Sequence, residues 1–244
     1  MPVSSEYRSQ TKSLYITQVA EYLKNHLQYL HEIGFKGFDC SEKSFNIITT
    51  WGQPVKKQAP DLKKIQTDME NCFLCRLSAS RKNIIFGTGN PDADLMFVGG
   101  RPSGMDGEST SEPFAGEVGE LLEKIINAIK MSKDEAYFCN VIKCRTPVDR
   151  DPMPDEISAC TRFLEQQIDA VKPVFICALG EIAAGVLLKT DKFVSALRGR
   201  FYNYKGIKIL PTYHPAYLLR YESRKRDVWE DMKMLMREMK RSVH

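Results

Sequence analysis

Short apolar runs alternate with longer amphipathic stretches along most of this chain. Asn83–Phe86, Asp94–Val98, Tyr137–Val141, Pro173–Leu179 and Ile207–Pro211 are too short for helices and read as strands. Between them, apolar residues recur at helical spacing. Leu62, Ile65 and Met69 mark a helix from about Pro60 to Cys72, and Val118, Leu121, Leu122, Ile125, Ile126 and Ile129 mark another. Pro154–Val171 opens with a proline and two acids, as helix starts do. A helix follows Gly180 to about Leu188, and Val228, Met232, Leu235 and Met239 give a last one. Most of the strands are apolar throughout, so both faces of their sheet must be covered. The pattern predicts a three-layer α/β/α domain with a parallel sheet over residues 61–244. Residues 1–60 read as a helical extension, with Ile16, Val19, Ala20, Leu23, Leu27 and Leu30 at helical spacing. Cys40, Trp51 and the turn signal Gly52–Pro54 follow it without a clear element.

Composition narrows the class. The 244 residues are 43% hydrophobic and 27% charged, as a globular domain should be. A net charge of +4 permits a polyanionic partner without requiring one. No run of about 18 apolar residues exists, so no transmembrane helix is predicted. The first residues, MPVSSEYRSQTK, lack the apolar core of a signal peptide, and a cytoplasmic, monomeric protein is expected. In a reducing compartment the seven cysteines are poor disulfide candidates.

Four of them are spaced for a metal. Cys72 and Cys75 form a C-x-x-C pair, while Cys144 and Cys160 bracket a proline-rich loop. Four thiolates suit zinc or an iron–sulfur cluster, and spacing leaves both open. Cys139 and Cys177 lie inside apolar runs and read as small core residues. The loop from Cys144 to Cys160 leaves the strand Tyr137–Val141 just after Asn140. In open α/β sheets ligands bind beyond the carboxyl ends of strands, which makes Asn140 a candidate reader of a small polar group.

The motifs from about Leu62 to Met236 are similar to those of family 4 uracil-DNA glycosylases, the iron–sulfur branch of their superfamily. CFLC, IIFGTGNPDADLMFVG, PFAGEVGELL, NVIKC with a cysteine sixteen residues later, KPVFICALG, LRG and PTYHPAYLL occur in family order. The resemblance implies a central four-stranded parallel sheet of the uracil-DNA glycosylase type. It also implies a 4Fe–4S cluster on Cys72, Cys75, Cys144 and Cys160, and hydrolytic removal of uracil or a related deaminated base from single- or double-stranded DNA. By motif, Phe114 would stack on the extruded base and Asn140 would read its edge. His214 would face the pyrimidine oxygen that gains charge, and Leu218 would wedge into the duplex. A base inside a duplex has to be flipped out and held before it is attacked, which gives each role physical sense. Taken singly, Phe114 and Leu218 read as core residues and His214 as a capped surface histidine.

One motif departs from the family. Where the family has GEAPG, this chain has Gly99-Gly100-Arg101-Pro102-Ser103, so the acid position is Gly100. Asp106, Glu108 and Glu112 lie in the same loop and are candidate substitutes; Arg101 is a candidate partner for the departing anion or a phosphate. Gly100, Arg101 and Pro102 are expected to line the base pocket. Arg198, Arg200 and Arg220 are expected at DNA. Two rivals stay open: a uracil-DNA binder that is non-catalytic or traps the base covalently, and an electron carrier built on the cluster.

Overall fold

The computed structural model describes residues 5–34, 41, 61–102 and 112–242. Cys40, Trp51 and Gly52–Pro54 lie outside them, as do Ser103, Asp106 and Glu108. The chain divides into two compact units, residues 1–58 and 59–244. The described part of the first contains a helix, α1 (Ser5–Glu32), covering the predicted periodic stretch.

The second unit is built on one six-stranded sheet. Its strands are β1 (Thr88–Gly89), β2 (Leu95–Gly99), β3 (Ala136–Asn140), β4 (Phe175–Leu179), β5 (Tyr202–Tyr204) and β6 (Ile207–Thr212). They lie in the order β1-β3-β2-β4-β6-β5. The central four, β3, β2, β4 and β6, are parallel; β1 and β5 run antiparallel at the two edges. Every residue of β2, β3 and β4 is buried, which requires cover on both faces. That cover comes from helices. They are α2 (Leu62–Glu70), α3 (Gly116–Ala128), α4 (Pro154–Val171), α5 (Gly180–Leu188), α6 (Val194–Leu197), α7 (Pro215–Arg220) and α8 (Lys225–Ser242).

The local reasons for these helices are on the chain. Asp61 caps α2 by accepting from the Lys63 N–H at 3.0 Å. Pro154 opens α4, and the Glu156 carboxylate reaches back to the Met153 N–H at 2.8 Å. Ile65 and Met69 of α2 pack with Phe163 of α4.

Two details differ from the expectation. Asn83–Phe86 is not a strand: Ile84 forms an isolated bridge with Cys144, and the Ile85 N–H donates to the Lys143 carbonyl at 2.7 Å. The edge strand is β1, just beyond that stretch, where Thr88 and Gly89 pair with Phe138 and Tyr137. The strand β5 was not legible, because three residues are too few to show a period.

The register sets up the site. Gly99 is opposite Asn140 and Leu179 is opposite Thr212, so the carboxyl ends of the four parallel strands finish together. The ladder between β2 and β3 even runs on, with the Val141 N–H donating to Gly99 and the Ile142 N–H to Gly100.

Candidate active site and metal centre

At that end of the sheet three sequence-predicted residues converge. Asn140, the last residue of β3, is 1% exposed, and neither amide atom has a hydrogen-bond partner. An orphaned buried amide costs about 1–3 kcal/mol for each unsatisfied group, so a stable chain keeps one only for a reason. Phe114 crosses in front of it. A Cβ built on Gly99 would lie 2.3 Å from the Asn140 Oδ1 and 2.7 Å from the Phe114 ring, so only glycine lets the two approach. Phe114 itself has φ +59, the left-handed region that a non-glycine residue adopts only under constraint.

His214 follows β6 and starts α7. Its ring centroid is 5.8 Å from that of Phe114. Gly180, at φ +86, brings β4 close enough that a Cβ there would stand 3.2 Å from the His214 Cβ. The His214 Nδ1 accepts the Ala216 N–H at 3.1 Å, capping α7. A ring that accepts at Nδ1 carries its proton on Nε2, so the imidazole faces outward from its cap as a donor. Burial of the ring, with the Arg101 charge second, brings its pKa down to about 4. At neutral pH it is uncharged.

Gly100 and Pro102 are buried beside Asn140's strand, Gly100 against Ile182 of α5. Arg101 turns to the loop after β3. Its guanidinium donates to the Asp149 carbonyl and stands 3.5 Å from the Asp149 carboxylate and 3.8 Å from that of Asp151. The residue with a carboxylate partner is therefore paired across to the cysteine loop. Two of the candidate acids in its own loop, Asp106 and Glu108, are outside the described residues. Glu112 pairs with Lys133 at 3.5 Å.

Two expected DNA contacts are placed differently. Leu218 is 1% exposed, buried on the core side of α7, while its neighbours Tyr217 and Leu219 reach solvent. As placed, it is a packing residue and not an exposed wedge. Arg198 turns inward: it holds both carboxylate oxygens of the buried Asp231 at 3.0 Å, and Asp231 also accepts from Thr212 at 2.6 Å. A bidentate pair to a buried acid leaves that guanidinium no phosphate to find. Arg220 is exposed and makes no ion pair among the described residues. Arg200 is exposed and donates to the Tyr202 hydroxyl at 2.6 Å.

The four predicted cysteines lie within electrostatic reach of one another. All are free thiols, Cys144 and Cys160 buried, Cys72 and Cys75 half-buried. Burial, with Cys160 the next cause and Cys75 among the rest, pushes the Cys144 thiol up to about 11. Burial raises Cys160 too, and Cys75 and Cys72 add to it. The charged groups acting on this pair are Arg81 and Lys143, both cations. Sulfur donors with basic side chains beside them fit an anionic thiolate-held group. Among the described residues no set of three His, Cys, Asp or Glu side chains is gathered as a site for one ion.

This geometry has relatives. A family model described as "Uracil DNA glycosylase superfamily" matches residues 86–233. The chain belongs to the uracil-DNA glycosylase superfamily. It is 38% identical over 168 residues to a type-4 uracil-DNA glycosylase of Thermotoga maritima, covering 67% of this chain and 87% of that one. A type-4 uracil-DNA glycosylase of Saccharolobus solfataricus is 39% identical over 165 residues, or 64% of this chain and 76% of its own length. A type-5 uracil-DNA glycosylase of Pyrobaculum aerophilum is more distant, at 28% over 144 residues. The matched span contains the converging residues Gly99, Phe114, Asn140 and His214 together with Cys144 and Cys160.

What the sequence missed in this superfamily site are partners. Gly99 as the shared neighbour of Asn140 and Phe114, Asp149 on Arg101 and Asp231 on Arg198 carry no local signal. The His214 cap did carry one, since a polar residue before Pro215 is a helix-start pattern.

Proposed function

We propose that the protein is a DNA glycosylase that flips uracil, or a related deaminated base, out of DNA and hydrolyses its N-glycosidic bond. One observation carries this reading: the Asn140 amide, fully buried, offers an unused donor and an unused acceptor beside an aromatic ring. The edge of uracil presents O4, an acceptor, next to N3–H, a donor, and meets both. Phe114 supplies the face on which the base stacks.

The chemistry then falls to His214. As the bond between the sugar C1′ and the base N1 breaks, its electron pair moves onto uracil and charge gathers on the pyrimidine O2. A neutral imidazole donating from Nε2 stabilises that oxygen, an effect of about 3–4 kcal/mol for one well-aimed donor. Water adds its oxygen to C1′, and its proton ends on the released base. The family acid's position is Gly100, and of its candidate substitutes the one described, Glu112, is paired to Lys133. Arg101, close enough to depress the His214 pKa, contributes positive potential on the same side. Its pairing to Asp149 and Asp151 reduces that field without removing it.

Cys72, Cys75, Cys144 and Cys160 are the residues that would hold a 4Fe–4S cluster. When bound, such a cluster ties the segment after α2 to the loop after β3, and the base chemistry does not pass through it. Protein purified without oxygen should be brown and carry iron and sulfide; zinc without sulfide would sink the cluster. Free thiols of this number suit the cytoplasm.

The missing acid favours a second reading, a uracil-DNA binder that does not turn over. A labelled oligonucleotide with one uracil, incubated and then heated in alkali, separates the two. Strand cleavage at the uracil means excision. A shifted but intact band means binding alone, and a band that survives denaturation means covalent trapping.

A further inference from the structure

The loop Arg145–Asp151 has features that base excision at Asn140 and His214 does not use. Val148, near its tip, is 97% exposed and has φ 50, ψ 29. A β-branched residue in the left-handed region is strained by about 1–3 kcal/mol, and this one recovers nothing by packing. The surroundings enforce the strain. Asp149, next along the chain and also at positive φ, is gripped from one side by Arg101 and from the other by both donors of Arg145 at 3.1 Å.

Beside this tip is a cleft of about 330 Å³ between residues 80–83 and 145–148. Its lining holds Arg81, Lys82 and Arg145 with Ser80, Asn83 and Thr146, and no acid. Arg81 is held by the carbonyls of Cys72 and Glu70, which position its charge without neutralising it. Lys82 is exposed and has no ion pair among the described residues. Cations with short hydroxyl and amide side chains are the groups that grip phosphodiesters.

The chain keeps the cleft within reach of the base slot. Five residues separate Asn140 from Arg145, a span of at most about 17 Å, which is about five nucleotide steps along a strand. Arg101, two residues beyond Gly99, binds the loop directly.

We propose that this cleft receives a backbone phosphodiester of the DNA flanking the flipped nucleotide, with Lys82 as its principal cation, and that Val148 is an apolar point pressed against the duplex. An exposed, strained apolar tip then has a use, as apolar wedges do at DNA grooves. The proposal rests on the glycosylase reading for the identity of the DNA, and its test separates the two.

The probe is a duplex carrying one 2′-fluorinated uracil nucleotide, which resists excision, and binding is followed by fluorescence anisotropy across a salt series. Lys82→Ala should make the slope of log K against log salt shallower by about 0.9, the value of one phosphate contact. Val148→Gly should raise the melting temperature by about 2–4 °C through strain relief. It should also weaken duplex binding about tenfold, the value of burying one valine. An unchanged salt slope in Lys82→Ala, or a Val148→Gly protein that is stabilised and binds as before, overturns the proposal. The alkali assay on wild type is independent: excision with an unchanged slope sinks only the cleft, and no excision with a shifted slope sinks only the glycosylase.

Discussion

Asn140 closes β3 and Thr212 closes β6, and both side chains are buried at the same end of the sheet. Around Thr212 every polar group is matched: its hydroxyl donates to Asp231, and Asp231 takes two bonds from Arg198. Around Asn140 nothing is matched. The difference separates structure from function more sharply than residue type does. A satisfied buried network holds elements together, here α8 to β6 through Asp231. An unsatisfied one leaves hydrogen-bonding groups available to a partner, and at Asn140 these are one donor beside one acceptor.

The sharpest way to break this comparison is to remove the amide while keeping its volume. Asn140→Leu should lower single-turnover excision of uracil by about a thousandfold, because a pocket built to hydrogen-bond loses its base edge. Its melting temperature should equal or exceed the parent's, since an orphaned polar group has been replaced by an apolar one. A large loss of stability would mean that the amide is structural after all, and the contrast with Thr212 would fail.

His214→Ala should cost about a hundredfold or more in the same rate, on the scale of one transition-state donor, with little change in substrate affinity. The pH dependence adds a check. With a folded pKa of about 4 against an ordinary 6.5, the imidazole is neutral from pH 8 down to about 5, and the rate should be flat there. The unfolded chain takes up its proton first. The stabilising contribution is therefore complete above about pH 6.5 and is lost as pH falls toward 4. A rate that falls as pH drops through 6.5 would show that the histidine titrates normally in the native protein.

On the matched side, Arg198→Ala should act in the opposite sense. It leaves Asp231 buried without its cation and should cost about 3 kcal/mol of stability. Urea unfolding measures this, and the excision rate at saturating enzyme should stay within a few-fold of the parent. If salt-dependent DNA affinity fell instead and stability held, Arg198 would belong at the phosphates, where the sequence had placed it.

That misplacement shows which parts of the molecule the sequence could carry. The buried strands and their order of elements were legible because full burial imposes continuous apolar runs, and Asn140 stood out as a polar residue ending one of them. The convergence of Phe114 and His214 on it was legible only through motif resemblance, since the residues are far apart in the chain. Arg198 and Leu218 went wrong for one reason. Both lie in motifs whose direction is decided by a distant partner: Asp231 draws the arginine inward, and the core takes Leu218 while its neighbours stay exposed. An exposed and a buried arginine look alike until the acid thirty-three residues away is placed. Val148 was invisible for a related reason, as the next residue, Asp149, is held by Arg101 from another loop as well as by Arg145.

The smallest expected effect concerns the departure from the family at Gly100. Restoring the acid by Gly100→Glu tests whether the site at Asn140 lacks a catalytic partner. The structure predicts that the substitution alone gives a poor answer. A Cβ at position 100 would lie 2.9 Å from the Ile182 Cβ, so α5 would have to shift, at about 1–3 kcal/mol for such overpacking. Ile182 fills the space that a side chain at 100 would need. The informative variant is the double change, Gly100→Glu with Ile182→Ala, which removes the Cγ1 and Cδ1 contacts at 3.4 and 3.0 Å, leaves the Cβ contact, and should recover part of the stability lost in the single variant. Its excision rate should remain within about twofold of the parent. A new carboxylate there enters the field of Arg101, and by pairing with it would offset whatever stabilisation it gave to the sugar. A rate several-fold above the parent in the double variant would show that Arg101 had not taken over the role of the acid, and that this site works below its capacity for want of one carboxylate.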